Sequence, residues 1–209
     1  VEPVDPEARS GVAAIAALAG TRMTAAGDEL DLLARLGRGD RDAVDRLYAR
    51  YARPLYGYVL DLVPDAGLAE EVVQDTFVAA WRGASRFEGR SSLASWLFGI
   101  ARRQARDRTR SRRPQPEPDD RLHGLADPAG GPEAMAIESA TRAELIAALD
   151  ALPDHHREPL VLAFAYELSG AEIAAVLDIP AGTVKSRLHA ARRALRLILE
   201  ARVETGAHP

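Results

Sequence analysis

The sequence predicts an all-α protein of two small helical domains joined by a flexible linker, the C-terminal one a helix-turn-helix. Three observations predict it. Apolar residues recur at spacings of three and four over 28–112 and again over 139–203. The stretch between holds Pro114, Pro116, Pro118, Pro128, Pro132 and the pair Gly130-Gly131, the composition of a linker. No β-branched run alternates with period two, so no strand is expected. A chain of 209 residues suffices for one large domain or two small ones.

Residues 1–27 are rich in Ala, Gly and Pro and are expected to be mostly disordered, with Met23 a candidate start. Leu30, Leu33, Ala34 and Leu36 begin an apolar stripe that Val44, Leu47, Tyr48, Tyr51, Leu55, Tyr58, Val59 and Leu62 continue. Pro64-Asp65-Ala66-Gly67 breaks it. A helix is expected from about Ala69 to Arg82, a turn around 85–92, and a helix from about Leu93 to Arg110. The first domain so spans 28–113, the linker 114–138, the second domain 139–203 and a tail 204–209. In the second, Ser169 and Glu172 fit a capping box, S-x-x-E. Ile173, Val176 and Leu177 supply its buried face, and Asp178-Ile179 makes a turn. Pro180 suits the first position of the next helix. There Val184, Leu188, Ala191 and Leu195 form the core stripe.

Charge is segregated although the net is only −4. From Trp81 to Arg113 ten Arg face two acids, and from Pro114 to Glu138 six acids face Arg121 alone. A basic block followed by an acidic one suggests a nucleic-acid footprint beside a solvated connector. With no Cys, disulfide and thiolate chemistry are excluded. No apolar run reaches the ~18 residues that would span a bilayer, and Val12–Ala19 makes a poor signal peptide.

Three surfaces carry chemistry. On the last helix Ser186, His189, Ala190 and Arg193 point away from the core stripe, with Lys185, Arg187 and Arg192 flanking them. Such a face hydrogen-bonds phosphates and base edges of duplex DNA. Upstream, Arg86-Phe87-Glu88-Gly89-Arg90-Ser91-Ser92 is followed by Trp96 and Phe98, then by Arg102, Arg103, Arg106, Arg108, Arg110, Arg112 and Arg113. Rings interleaved with guanidiniums suit opened DNA, whose bases stack or dock while cations track the backbone. Phe98 is assigned to the core, and Trp96 half to core and half to a stacking platform. On the helix 69–82, Val73, Phe77, Ala80 and Trp81 define a buried face, which leaves Glu71 and Asp75 opposite, one turn apart. Like charges at that spacing repel, which suits a cationic protein partner.

Two other functions compete. A dimeric DNA-binding regulator accounts for the helix-turn-helix but leaves the Arg-rich, Trp-bearing segment 96–113 without a purpose. A nuclease needs clustered carboxylates or His, whereas His123, His155, His156, His189 and His208 form no spaced set. No metal site, cofactor or catalytic residue is expected.

Three separated segments, AEEVVQDTFVAAWRG (69–83), FEGRSSLASWLFGIARRQARD (87–107) and LSGAEIAAVLDIPAGTVKSRLHAARRAL (168–195), resemble in sequence and order the extracytoplasmic-function (ECF) class of the bacterial sigma-70 family. The resemblance covers roughly 28–200. It implies a cytoplasmic, non-enzymatic factor that binds core RNA polymerase and directs it to promoters. The first domain would recognise and help melt the −10 element through Arg86, Phe87, Arg90, Ser91, Ser92, Trp96, Arg102, Arg103 and Arg106. The second would read the −35 element through Thr183, Lys185, Ser186, Arg187, His189, Arg192 and Arg193. Glu71, Gln74, Asp75 and Val78 would dock on the β′ clamp helices, and the second domain would also contact the β flap. The linker would thread the polymerase cleft, and an anti-sigma factor would hold the chain inactive. Ala190 stands where the family often has a second basic residue. No middle domain is present, as in this class, and residues 1–27 match nothing in the family's core pattern.

Overall fold

In the computed structural model the described residues are 26–63, 65–89, 91–111 and 144–206. The expectations for the N-terminal extension up to residue 25, for the linker, for the end of the tail, for Arg90 and for the Leu30 side chain lie outside them. Every regular element among the described residues is helical.

Helix α1 (Ala26–Gly37) buries Glu29, Leu32, Leu33 and Leu36, the i, i+3, i+4, i+7 row of a single face. It closes through Gly39, whose φ of 78° lies in the left-handed region that glycine enters without cost. Asp40 then caps α2 (Arg41–Leu60) by accepting from the Asp42 N–H at 3.0 Å, and the Arg35 Nε donates to the same carboxylate at 2.7 Å. Helix α2 buries Ala43, Leu47, Tyr51, Leu55 and Tyr58. Asp65 caps α3 (Ala66–Gly83) from the Leu68 N–H at 2.7 Å, so that helix starts three residues before the expected Ala69. A 3-10 turn over Ala84–Arg86 leads through the loop to α4 (Leu93–Ser111), where the Ser92 hydroxyl accepts from the Ser95 N–H.

The second group begins with α5, over residues 144–150, followed by α6 (Asp154–Phe164). Helix α7 (Gly170–Leu177) carries the expected capping box: Ser169 accepts from the Glu172 N–H and the Glu172 carboxylate accepts from the Ser169 N–H. Asp178, at φ 55°, ends it in the left-handed conformation that Asp tolerates better than most residues. Helix α8 runs Ala181–Gly206, past the expected end at 203. Pro180 precedes it as a cap rather than filling its first position: its carbonyl accepts from the N–H groups of Thr183 and Val184.

The two groups share a core. One continuous buried cluster joins Leu36, Leu47, Tyr58, Val72 and Phe98 to Val161, Leu162, Tyr166, Ile173 and Val184. At the seam the Phe98 ring lies 5.0 Å from Tyr58 and 4.5 Å from Tyr166. Helix α4 is buried on Leu93, Ala94, Leu97, Phe98, Ala101, Arg102 and Ala105, a band too wide for one neighbour, because α3 packs on it from one side and α7 from the other. A smaller cluster of Leu149, Leu152, Leu160 and Ala191 ties α5 and α6 to α8.

Candidate nucleic-acid interface

Helix α8 is held by Val184 and Ala191, both buried, with Leu188 and Leu195 half-buried behind them. That anchoring leaves Lys185, Ser186, His189 and Arg193 exposed, and Thr183 and Arg187 half-buried at the margin. The Ser186 hydroxyl donates to the Thr183 carbonyl at 2.9 Å, which leaves its oxygen free to accept. Arg192 departs from this group: its guanidinium lies over the Phe164 ring, 5.4 Å from the centroid, on the side of an apolar groove lined by Leu145, Leu149, Leu195 and Leu199. The cationic face rests on a rigid base, since the capping box fixes α7 and the left-handed Asp178 sets the angle between α7 and α8.

Next to this face the His155 and His156 rings meet at a tilt, with centroids 4.2 Å apart, and the buried His156 Nδ1 has no hydrogen-bond partner. Burial, then the nearby His155 and Arg187, hold the His156 pKa below the ordinary value. The folded state thus favours the neutral ring, and its contribution is fully present above the unfolded value of 6.5 and is lost as pH falls through the folded one. We expect the urea midpoint to drop between about pH 7.5 and about pH 5.5, and His156→Gln to flatten that part of the profile. An unchanged pH dependence in the variant would place the titrating group elsewhere.

In the first group the loop after α3 presents Arg86 and partly buried Phe87, Ser91 and Ser92. Trp96 lies 4.9 Å from the Phe87 ring and against the end of α3, where a Cβ on Gly83 would meet its indole at 3.1 Å. The absence of a side chain at Gly83 is what lets the indole seat there half-exposed, as the sequence suggests. Phe98 is fully buried. Arg103 and Arg106 are exposed, but Arg102 does not join them. It is 6% exposed, with its Nε and Nη2 on the Glu158 carboxylate at 2.8 and 3.2 Å and its Nη1 on the Leu177 carbonyl at 3.1 Å. Burial works against its charge, and the Glu158 carboxylate more than restores it.

The acidic face of α3 is present and already engaged. Arg108 of α4 bridges Glu71 and Asp75 with one guanidinium, which relieves their repulsion; Gln74 and Val78 stand exposed beside them. Trp81, expected in the core, is 52% exposed. So are Tyr48 and, less so, Val44, and the Tyr48 and Phe77 rings meet at 5.1 Å. These residues form an aromatic strip along α2 and α3 that the periodicity hides, because each follows or precedes a buried position by one residue. The signal was a count: two adjacent apolar rows on α2 are one more than a single neighbour can cover. Among the described residues no group of three His, Asp or Glu is placed to hold a metal, and no helix is long and apolar enough to cross a membrane.

Residues 47–115 match the family model described as Sigma-70 region 2, and residues 142–195 match Sigma-70, region 4. The chain is 33% identical over 179 residues to the ECF RNA polymerase sigma factor SigK of Mycobacterium ulcerans, covering 83% of this chain and 95% of that one. It is 32% identical over 173 residues to the ECF RNA polymerase sigma-E factor of Escherichia coli, covering 78% and 90%. Among solved structures it resembles CnrH in complex with the cytosolic domain of CnrY, at TM-score 0.58 and 29% identity, covering 83% of this chain and 97% of that one. It also resembles the sigma factor RpoE in complex with the anti-sigma factor NepR from Bartonella quintana, at TM-score 0.54 and 25% identity, covering 75% and 96%.

Proposed function

This chain belongs to the ECF group of the sigma-70 family, and from that premise we propose that it binds core bacterial RNA polymerase in the cytoplasm and directs it to promoters without catalysing a reaction itself. The observation that carries the reading is one chain holding both a capped helix-turn-helix with Lys185, Ser186, His189 and Arg193 displayed, and an arginine-rich helix α4 whose Trp96 pairs with Phe87 of the loop before it. The first suits duplex DNA at the −35 element. The second suits the opened −10 element, where an extruded base needs a ring or pocket to replace its lost stacking.

Residues 28–113 act as the polymerase and −10 domain, 139–203 as the −35 domain, and 114–138 as the tether through the polymerase cleft. Each DNA contact is small alone; held on one polymerase, the two act at high effective concentration. Glu71, Gln74, Asp75 and Val78 supply the clamp-docking face, and the exposed Tyr48 and Trp81 extend it with apolar area. Arg108 orders the two carboxylates until a cationic partner shares them. The second domain adds a contact to the β flap. An anti-sigma factor is the expected antagonist, as the sigma factor RpoE is held in a complex with the anti-sigma factor NepR.

The test is transcription in vitro by core polymerase on a genomic-fragment library. Initiation from a discrete promoter set that requires this chain is the expected result. Glu71→Lys with Asp75→Lys should weaken polymerase association and initiation together, while binding to −35 duplex by the isolated chain stays at its original level. Duplex binding and regulation with no dependence on polymerase would instead favour the dimeric regulator.

A further inference from the structure

The seam between the two helical groups holds a buried polar cluster. Glu158 of α6 accepts from the Tyr58 hydroxyl at 2.9 Å and from two nitrogens of Arg102, and Arg102 also spans to the Leu177 carbonyl at the end of α7. Side-chain exposure is 7% for Arg102 and 16% for Glu158, so the pair is largely withdrawn from water, and the Tyr58 ring that donates to Glu158 also packs against Phe98 and Tyr166. At the start of α4 the Ser92 hydroxyl supports the Glu172 carboxylate of α7. The first helix of the helix-turn-helix thus lies along the same α4 that bears the arginine-rich nucleic-acid surface.

Arginine grips a carboxylate and a phosphate with the same planar fork of N–H donors. We propose that the free chain is held closed by Glu158, which occupies on Arg102 the place that a DNA backbone phosphate takes once the two helical groups part. This inference rests on the promoter-binding reading above and adds to it a masked contact. In the closed state Arg102 has its Nε and both Nη atoms engaged, whereas Arg103 and Arg106 of the same helix stand exposed. Opening exchanges one oxyanion for another on the same guanidinium. Polymerase favours the exchange by holding the two domains apart and bringing the strand close.

The full chain has no Cys, so a donor and an acceptor dye can be placed on single cysteines introduced at the exposed Arg46 and Glu200. Glu158→Gln keeps the shape of the side chain but removes the charge that balances buried Arg102, which makes the closed state costly. In this variant energy transfer should fall while helix content by circular dichroism is kept. Its affinity for a fluorescein-labelled mixed-sequence single strand of about twelve nucleotides should rise about tenfold, the closed fraction no longer being subtracted. Arg102→Ala should also lower energy transfer, but with no gain in single-strand affinity, because the unmasked contact is itself removed. Tyr58→Phe, which deletes one donor to Glu158, should give an intermediate shift in both.

Unchanged energy transfer in Glu158→Gln and Arg102→Ala overturns the latch. Opening without a gain in single-strand affinity in Glu158→Gln overturns the exchange at Arg102. Failure of the promoter reading looks different: no chain-dependent initiation with core polymerase, whatever the inter-dye distance.

Discussion

Replacing Phe98 with Ala is expected to destabilise the fold by about 3–5 kcal/mol, the range for truncating a fully buried Phe in a core that relaxes only partly. What matters is where the loss is felt. Phe98 belongs to α4, yet its ring meets Tyr58 of α2 and Tyr166 of the segment after α6. The cavity would open on the seam, so both helical groups lose packing. Amide hydrogen exchange reads them separately: protection at Leu47 and Val72 reports the first group, at Leu162 and Ile173 the second. Both sets should fall together in Phe98→Ala. A loss confined to Leu47 and Val72 would show that the second group keeps its own stability and that the shared cluster contributes little. Both tryptophans lie in the first group, so fluorescence alone cannot make this distinction.

Replacing Lys185 and Arg187 together with Ala should lower affinity for −35 duplex by about ten- to a hundredfold, since each lost cationic contact removes on the order of 1 kcal/mol or more. The dependence on salt is the sharper readout. Two phosphate contacts fewer should reduce the slope of log affinity against log salt by about 1.8. Lys185 is exposed and Arg187 sits at the margin of the face, so neither anchors α8, and helix content should be kept. Polymerase association should stay where it was, because the residues proposed to dock on the clamp, Glu71, Gln74, Asp75 and Val78, lie on α3. An affinity loss with an unchanged salt slope would mean that these side chains act through the packing of α8 and not through phosphates.

Much of this interface was legible in the chain. Ser169 and Glu172 announced the capping box, because a cap is a local event: donor, acceptor and the turn between them are four residues of sequence. The row Val184, Leu188, Ala191, Leu195 fixed which side of α8 faces inward, and hence which side shows Lys185, Ser186 and His189. Pro180 was misplaced by one position, since a proline serves both at a cap and one step inside it. Trp81 and Arg102 were misplaced for a deeper reason. Periodicity identifies apolar rows but not how far anything covers them, and Val44, Tyr48 and Trp81 remain exposed among the described residues. Charge identifies a guanidinium as a surface group unless a partner is known, and the partner of Arg102 lies fifty-six residues away, across the linker.

The chain by itself therefore determined an all-helical build, its division by a Pro- and Gly-rich stretch, the helix-turn-helix and the cationic side of its second helix. These follow from turn chemistry and from a period of 3.6 residues, both of which act within a few residues of themselves. The tertiary structure alone decided that the two helical groups share one core, that α4 is buried on two sides, and that Glu158 holds Arg102. Those outcomes depend on which surfaces meet. Burying a guanidinium is tolerable only when a carboxylate and a carbonyl from distant segments arrive together to replace its water.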